Sequence, residues 1–237
     1  MIPLVAIAGT LNAIVSLLIA ARLYVSYYKT RSAPQGHFLL FYLYLGVFYL
    51  YFATSQLLLK DNGMAIGIFH ILSYFFLNFS LGYLLTFPLF LSNREALAQR
   101  ILIGVFLYNV IFTAVRIANF EPSVMQLVGS YGYWRPIFPE WMRALTGFFA
   151  VAIGLYASMF FFVHGWQRRS NPFIFYRSLL FGSGIFILVS AAMLLLIVAS
   201  TGSFSLVAVG TFLVLLGLLI ILRGVYYRGH DVSESGV

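Results

Sequence analysis

Seven long apolar runs constrain this chain more than any other feature of its sequence. They cover residues 3–24, 38–59, 64–91, 99–120, 142–165, 172–199 and 203–226. A helix needs roughly 20 such residues to cross the hydrocarbon core of a bilayer. Backbone polar groups in lipid must be hydrogen-bonded within the protein, and the alternating pattern of barrel strands is absent, so we expect helices. The sequence therefore predicts an all-α integral membrane protein, a bundle of seven transmembrane helices.

The amino-acid composition agrees with a chain that is embedded in a membrane. Hydrophobic residues make up 62% of the 237 residues and charged residues only 8%, whereas a soluble domain carries roughly 25% charged residues. The sequence predicts a single transmembrane domain over 1–228 and a short polar tail over 229–237. There are no cysteines, so disulfides and thiolate chemistry are excluded.

The distribution of positive charge predicts the topology. Cytoplasmic loops of membrane proteins carry an excess of lysine and arginine. One side of the predicted bundle holds ten such residues, namely Arg22, Lys29, Arg31, Arg94, Arg100, Arg168, Arg169, Arg177, Arg223 and Arg228. The other side holds four, namely Lys60, Arg116, Arg135 and Arg143. We therefore expect the N-terminus outside and the C-terminus in the cytoplasm, and the short loops favour a bacterial inner (plasma) membrane.

The net charge of +8 raises the question of partners. The basic residues stand singly between apolar runs and form no stripe with exposed aromatics, which argues against nucleic acid. Membrane lipids are the expected partners, because scattered basic residues suit anionic headgroups. Other membrane protein subunits and a small-molecule ligand of unknown identity are further possible partners.

Polar residues inside the spans mark candidate sites, because polar groups in lipid are costly. His70 and Asn78 fall on one face of span three, and Asn109 of span four is expected at the depth of Asn78. Two interpretations fit the asparagines: an interhelical hydrogen bond, or the lining of a polar cavity for a small ligand. His70 is either a satisfied histidine near the interface or a ligand-binding group.

Charged residues cluster at the predicted outer ends of spans four and five. Arg116 lies in the last turn of span four and Arg143 near the start of span five, with Glu121 and Glu140 close by in sequence. These arginines either snorkel at helix ends or form an anion or carboxylate site, since arginine suits bidentate pairing. The candidate ligand-binding residues are thus His70, Asn78, Asn109, Arg116 and Arg143.

The predicted outer loop 120–141 is the longest connection. It contains three prolines together with Tyr131, Tyr133, Trp134 and Trp141. Three interpretations fit: a segment lying in the membrane interface, a lid over an outward cavity, or a docking surface.

Small or short polar residues recur at a spacing of four in two spans. Span one has Ala8, Asn12, Ser16 and Ala20, and span five has Ala150, Gly154 and Ser158. Such stripes let helix backbones approach closely, so they predict helix packing.

No residue pattern indicates a catalytic, metal or cofactor site. A bis-histidine haem needs two histidines at matching depth. His37 and His164 are expected at the cytoplasmic edge, His70 lies near the opposite side, and His230 lies in the tail. No HExxH pair or carboxylate cluster predicts a metal, and no Asp or Glu lies deep in a span.

One stretch, Tyr83-Leu84-Leu85-Thr86-Phe87-Pro88-Leu89-Phe90-Leu91, resembles the third helix of microbial rhodopsins, where an aromatic residue, Leu, Thr and Pro occur in such an order. That family attaches retinal to a lysine of its last helix. Here the two lysines, Lys29 and Lys60, lie at span edges, and Gly82 stands where the family keeps its carboxylate counterion. The departures exclude a retinal-binding pump. The seven-span arrangement also resembles the sensor regions at the front of some bacterial histidine kinases.

Three functional hypotheses follow. The leading one is a non-enzymatic membrane protein, either a sensor-like module or a subunit of a larger membrane assembly, because no catalytic constellation occurs and the aqueous loops are minimal. The alternative is a transporter or binding protein for a small solute or lipid, with a polar cavity near span three. A lipid-modifying membrane enzyme is the third.

Overall fold

The computed structural model describes residues 3–59, 62–128, 131–137, 139–201 and 204–227. Seven helices, each long and apolar enough to cross a membrane, account for most of them, which confirms the predicted helical membrane protein. The helices are α1 (Leu4–Thr30), α2 (Ala33–Leu58), α3 (Gly63–Leu91), α4 (Glu95–Ala118), α5 (Glu140–Gln167), α6 (Pro172–Thr201) and α7 (Phe204–Tyr226). Lys60, Asp61, Arg228 and the predicted tail over 229–237, with His230, lie outside the described residues.

The helices α1 and α2 are longer than the apolar runs that predicted them. The predicted first span ended at 24, but α1 continues to Thr30, and α2 begins at Ala33 instead of 38. The length of an apolar run corresponds to the thickness of the hydrocarbon core of the bilayer. A helix forms its backbone hydrogen bonds internally, so it can continue beyond that core into the membrane interface. The turn between them is correspondingly tight. Arg31 adopts the left-handed conformation (φ 52°), and Pro34 occupies the first turn of α2, where its missing N–H costs nothing.

Six of the helices form a closed ring. Going around it, α1 packs against α2, α2 against α3, α3 against α5, α5 against α6, α6 against α7, and α7 against α1. The remaining helix, α4, packs mainly against α3 on the outside of this ring. Large apolar side chains on its outer face are exposed, among them Ile103, Leu107 and Ile111, as expected for a surface that faces lipid.

Small residues allow the ring helices to approach closely, as their spacing predicted. A Cβ atom placed on Gly154 of α5 would overlap the side chain of Val189 in α6. One turn further along α5, the Ser158 hydroxyl donates to the carbonyl oxygen of Gly182 at 2.9 Å. Where α6 meets α7, a Cβ on Gly184 would lie 2.8 Å from the carbonyl oxygen of Gly217. Gly154 and Ser158 of the small-residue stripe in span five therefore pack against α6.

A two-stranded hairpin lies in the loop between α4 and α5. Its strands are β1 (Val124–Val128) and β2 (Tyr131–Arg135). They pair antiparallel, with Val124 opposite Arg135 and Val128 opposite Tyr131. No strand was predicted in this loop, and the hairpin gives the 120–141 segment a defined shape. The end of the bundle that carries it, where α3 and α5 begin, is called the hairpin end below.

Candidate functional site

A cavity of about 330 Å³ occupies the hairpin half of the helix ring. All six ring helices contribute to its wall, and the segment Tyr133–Pro136 of the hairpin, here called the roof, lines it at the hairpin end. The wall is mainly apolar, with aromatic rings from α2 such as Phe41, Phe48 and Phe52. Its volume lies at the lower end of the range of small-molecule sites, which are typically apolar clefts with a few polar groups.

The roof of the cavity is held by packing and by a hydrogen bond within the hairpin. Tyr133 of β2 packs in one apolar cluster with Val5 of α1 and Val207 of α7. Its phenol donates to the side-chain oxygen of Gln126 in β1. Burial raises the pKa of the Tyr133 phenol, while the positive charge of Arg135 acts in the opposite direction. The neutral phenol therefore persists as a donor at physiological pH, and β2 stays attached both to β1 and to the ring.

The cavity ends at a cluster of four phenylalanines, Phe38, Phe87, Phe161 and Phe181, here called the aromatic floor. Three of these rings lie one helical turn beyond the cavity-lining residues Phe41, Leu84 and Ile185 of the same helices. The ring centroid of Phe38 is 4.7 Å from that of Phe87 and 5.3 Å from that of Phe181, and the centroids of Phe87 and Phe161 are 5.4 Å apart. These are normal distances for packed aromatic pairs. The four rings belong to the largest apolar cluster of the described residues.

The two asparagines predicted near the midplane hydrogen-bond to each other. The side-chain nitrogen of Asn78 in α3 donates to the side-chain oxygen of Asn109 in α4 at 3.0 Å. The side-chain nitrogen of Asn109 donates to the backbone oxygen of Phe75 at 2.9 Å. The interhelical hydrogen bond is therefore confirmed. Neither asparagine is among the residues lining the cavity, so this pair attaches α4 to the ring.

His70 and Arg116 contact the two segments that flank the hairpin. His70 of α3 is fully buried and hydrogen-bonds through Nδ1 to the hydroxyl of Ser123, just before β1, at 3.0 Å. The guanidinium of Arg116 in α4 donates to the backbone oxygen of Ile137, just after β2, at 3.1 Å. The backbone N–H of Ser123 also donates to the carbonyl oxygen of Gly63 at 3.0 Å. These residues fix the position of the hairpin over the ring.

Arg143 is the one candidate among the five predicted ligand-binding residues that lines the cavity. It lies in the first turn of α5, and its guanidinium nitrogen is 3.6 Å from the carboxylate of Glu140. The side chain of Glu140 is 92% exposed and that of Arg143 is 20% exposed, so this ion pair is worth little. Arg135 of β2 also lines the cavity, and the described lining contains no acidic residue. Two arginines thus lie at the end of the cavity nearest the hairpin.

The sequence did not identify Asn12 of α1 as a candidate. It belongs to the small-residue stripe that predicted helix packing, yet it lines the cavity and is only 1% exposed to solvent. Neither the nitrogen nor the oxygen of its amide has a hydrogen-bond partner among the described residues. Buried polar groups without partners are rare in native proteins. The sequence did contain one indication, because Asn12 is the one residue with a side-chain amide in a stripe whose other members are alanine and serine.

Among the described residues, no three His, Asp or Glu side chains come close enough to hold a metal ion. His37 instead hydrogen-bonds through Nδ1 to the hydroxyl of Thr86 at 3.0 Å, and His164 stacks on Phe160. In comparison with known proteins, the chain matches no protein-family model and no curated protein.

Proposed function

We propose that this chain is a non-enzymatic, sensor-like membrane module that binds a small apolar or amphipathic molecule in the cavity beneath the hairpin. The observation that supports the proposal is the geometry of that cavity, which six helices line, with β2 at one end and the aromatic floor at the other. A preformed, mostly apolar cavity of this size is typical of small-molecule sites.

Binding fits this geometry better than transport. A solute crossing the bundle would have to pass the aromatic floor, where four packed rings would all need to move. A molecule held between the roof and the floor contacts both the hairpin and the ring helices. It can therefore favour one arrangement of these elements over another, which is the energetic requirement for a sensor.

The proposal is tested by filling the cavity. Ala150 of α5 lines it, and Ala150→Phe would place a ring inside. Ala152, two residues further on, is exposed on the outside of the same helix, so Ala152→Phe is the matched control. Native mass spectrometry after mild solubilisation should find a retained organic molecule on the wild type and on Ala152→Phe, but not on Ala150→Phe. Equal retention by all three proteins, or retention by none, would refute binding in this cavity.

For the topology we propose that the hairpin end faces outward, so that the ligand enters from outside or from the outer leaflet. The support is the excess of lysine and arginine at the opposite end. Because the chain has no cysteine, single cysteines give a clean test. Glu121→Cys should react with a membrane-impermeant maleimide on intact cells, and Arg94→Cys only after permeabilisation. The reverse pattern would overturn the orientation.

A second candidate function is a subunit of a larger membrane assembly. It is favoured by the position of α4 outside the ring of six helices. Companion chains in a fixed ratio after mild solubilisation would support it. A protein that runs alone on native gels would leave the ligand-binding module as the better account.

A further inference from the structure

Two arginines lie close together at the end of the bundle opposite the hairpin. The guanidinium carbon of Arg22 in α1 is 5.4 Å from the ring centroid of Tyr226, the last residue of α7. On the other side of α7, Arg177 of α6 contacts the ring of Phe173, whose centroid is 5.8 Å from that of Tyr227. The two arginines therefore flank the end of α7, and they are close enough for their positive charges to repel each other.

Aromatic rings of α6 hold the side chain of Arg177. Phe173 lies one helical turn before it, and Phe181 of the aromatic floor lies one turn after it. Its guanidinium carbon is 5.8 Å from the first ring centroid and 5.4 Å from the second, within the range of cation–π attraction. The rings attract the charge but offer no acceptor oxygen. The Nε atom of Arg177 is buried and has no hydrogen-bond partner among the described residues, so this guanidinium still requires an acceptor.

No carboxylate in the part of the chain that the structure describes lies beside this pair. The acidic residues of that part are Glu95, Glu121 and Glu140. Glu121 and Glu140 lie at the hairpin end, and Glu95 begins α4, which packs against α3 outside the ring. Two like charges held together at the edge of a membrane are stabilised by an anion between them. The described residues do not supply that anion.

The depth of the arginines indicates the source of the anion. Arg22 lies two residues before the end of the first apolar run at 24, and Arg177 lies roughly 8 Å along α6 from its first residue. This is the level at which the hydrocarbon core borders the headgroups.

We propose that Arg22 and Arg177 bind the phosphate of an anionic phospholipid. Arginine presents a fork of N–H donors that matches phosphate oxygens. The acyl chains would lie along the outside of α7, where Phe212 and Leu219 are exposed. This site is separate from the cavity beneath the hairpin, and it does not depend on the ligand proposed for that cavity.

Native mass spectrometry of the full chain in mild detergent tests the site. Protein freed of lipid is titrated with dioleoylphosphatidylglycerol, which is anionic, and with dioleoylphosphatidylcholine, which has the same chains but no net charge. The first phosphatidylglycerol should bind at least about fivefold more tightly than the first phosphatidylcholine, the effect expected of one basic residue on an anionic lipid. Detergent micelles have no leaflets, so the result does not depend on the orientation of the protein.

Three variants locate the preference within the chain. Arg22→Gln and Arg177→Gln should each reduce the ratio of the two affinities to less than about twofold. Arg100→Gln removes the same charge from an exposed residue of α4 at the same end of the bundle, and should leave the ratio at its wild-type value. The ratio is informative because a general loss of stability would weaken the binding of both lipids alike. If Arg177→Gln does not fold, Arg22→Gln alone decides, since Arg22 is only half-buried.

The outcomes decide between this site and its alternatives. Equal affinities for the two lipids in the wild type would overturn the proposal. A ratio that falls as far in Arg100→Gln as in Arg22→Gln would also overturn it, because the net charge of the protein would then account for the preference. Millimolar glycerol phosphate should not displace bound phosphatidylglycerol. Displacement by it would show a site for soluble phosphate compounds and would overturn the assignment to a lipid.

Discussion

The hydrogen bond between Asn78 and Asn109 is expected to hold α4 on the ring. Asn109→Leu removes both interhelical hydrogen bonds of this side chain, at 3.0 and 2.9 Å. Interhelical hydrogen bonds in membranes contribute about 0.6 kcal/mol on average and up to about 1.7 kcal/mol. The substitution also leaves the buried amide of Asn78 without its acceptor. Together these effects predict a loss of about 1.5–3 kcal/mol in the free energy of unfolding.

The assay is reversible unfolding in mixed micelles of mild detergent and sodium dodecyl sulfate, followed by circular dichroism. Val110→Leu, at an exposed position next to Asn109, is the matched control and should be neutral. In a double-mutant cycle with Asn78→Leu, the coupling energy should be about 1 kcal/mol. A loss below about 0.5 kcal/mol for Asn109→Leu, or a coupling energy near zero, would refute the view that this pair attaches α4.

Three further predictions concern the hairpin and the cavity. A Cβ on Gly63 would lie 2.5 Å from the carbonyl oxygen of Ser123, so Gly63→Ala should displace the hairpin. The displacement should be measured as faster amide hydrogen exchange in β1, and unchanged exchange would contradict the close contact. Ser123→Ala removes the hydrogen-bond partner of His70 and should destabilise the protein by about 1–2 kcal/mol, measured as a lower thermal unfolding midpoint. An unchanged midpoint would show that this hydrogen bond does not stabilise the protein. Asn12→Leu should raise the thermal unfolding midpoint of the ligand-free protein, because an apolar side chain replaces a buried amide that lacks partners among the described residues. A lower midpoint would indicate that the amide has a partner.

The sequence predicts the helices of this fold but not their arrangement. Each span is apolar enough to be found by length alone. That α4 lies outside the ring could not be predicted, because the apolar residues of a membrane helix face lipid and protein alike. The exposed Ile103 and the buried Phe112 of α4 are equally hydrophobic. Side-chain chemistry therefore carries no clear signal for which faces are buried.

The candidate site was predicted in part. Of the five predicted ligand-binding residues, Arg143 lines the cavity. His70, Asn78, Asn109 and Arg116 instead hydrogen-bond to residues distant in sequence, and such pairings cannot be read from one sequence. The hairpin had a usable signal, because Gly129 and Ser130 separate two short runs rich in β-formers, a pattern typical of tight hairpins. The cavity itself depends on how six helices pack, and so it had no local signature.

The most direct test of the account is an experimental density map of the wild-type protein purified from its native membrane in mild detergent. We predict continuous non-protein density between the roof at Tyr133 and the aromatic floor. A hairpin half in which side chains fill the ring, with no space between Phe48 and the roof, would contradict the central claim that this bundle encloses a ligand.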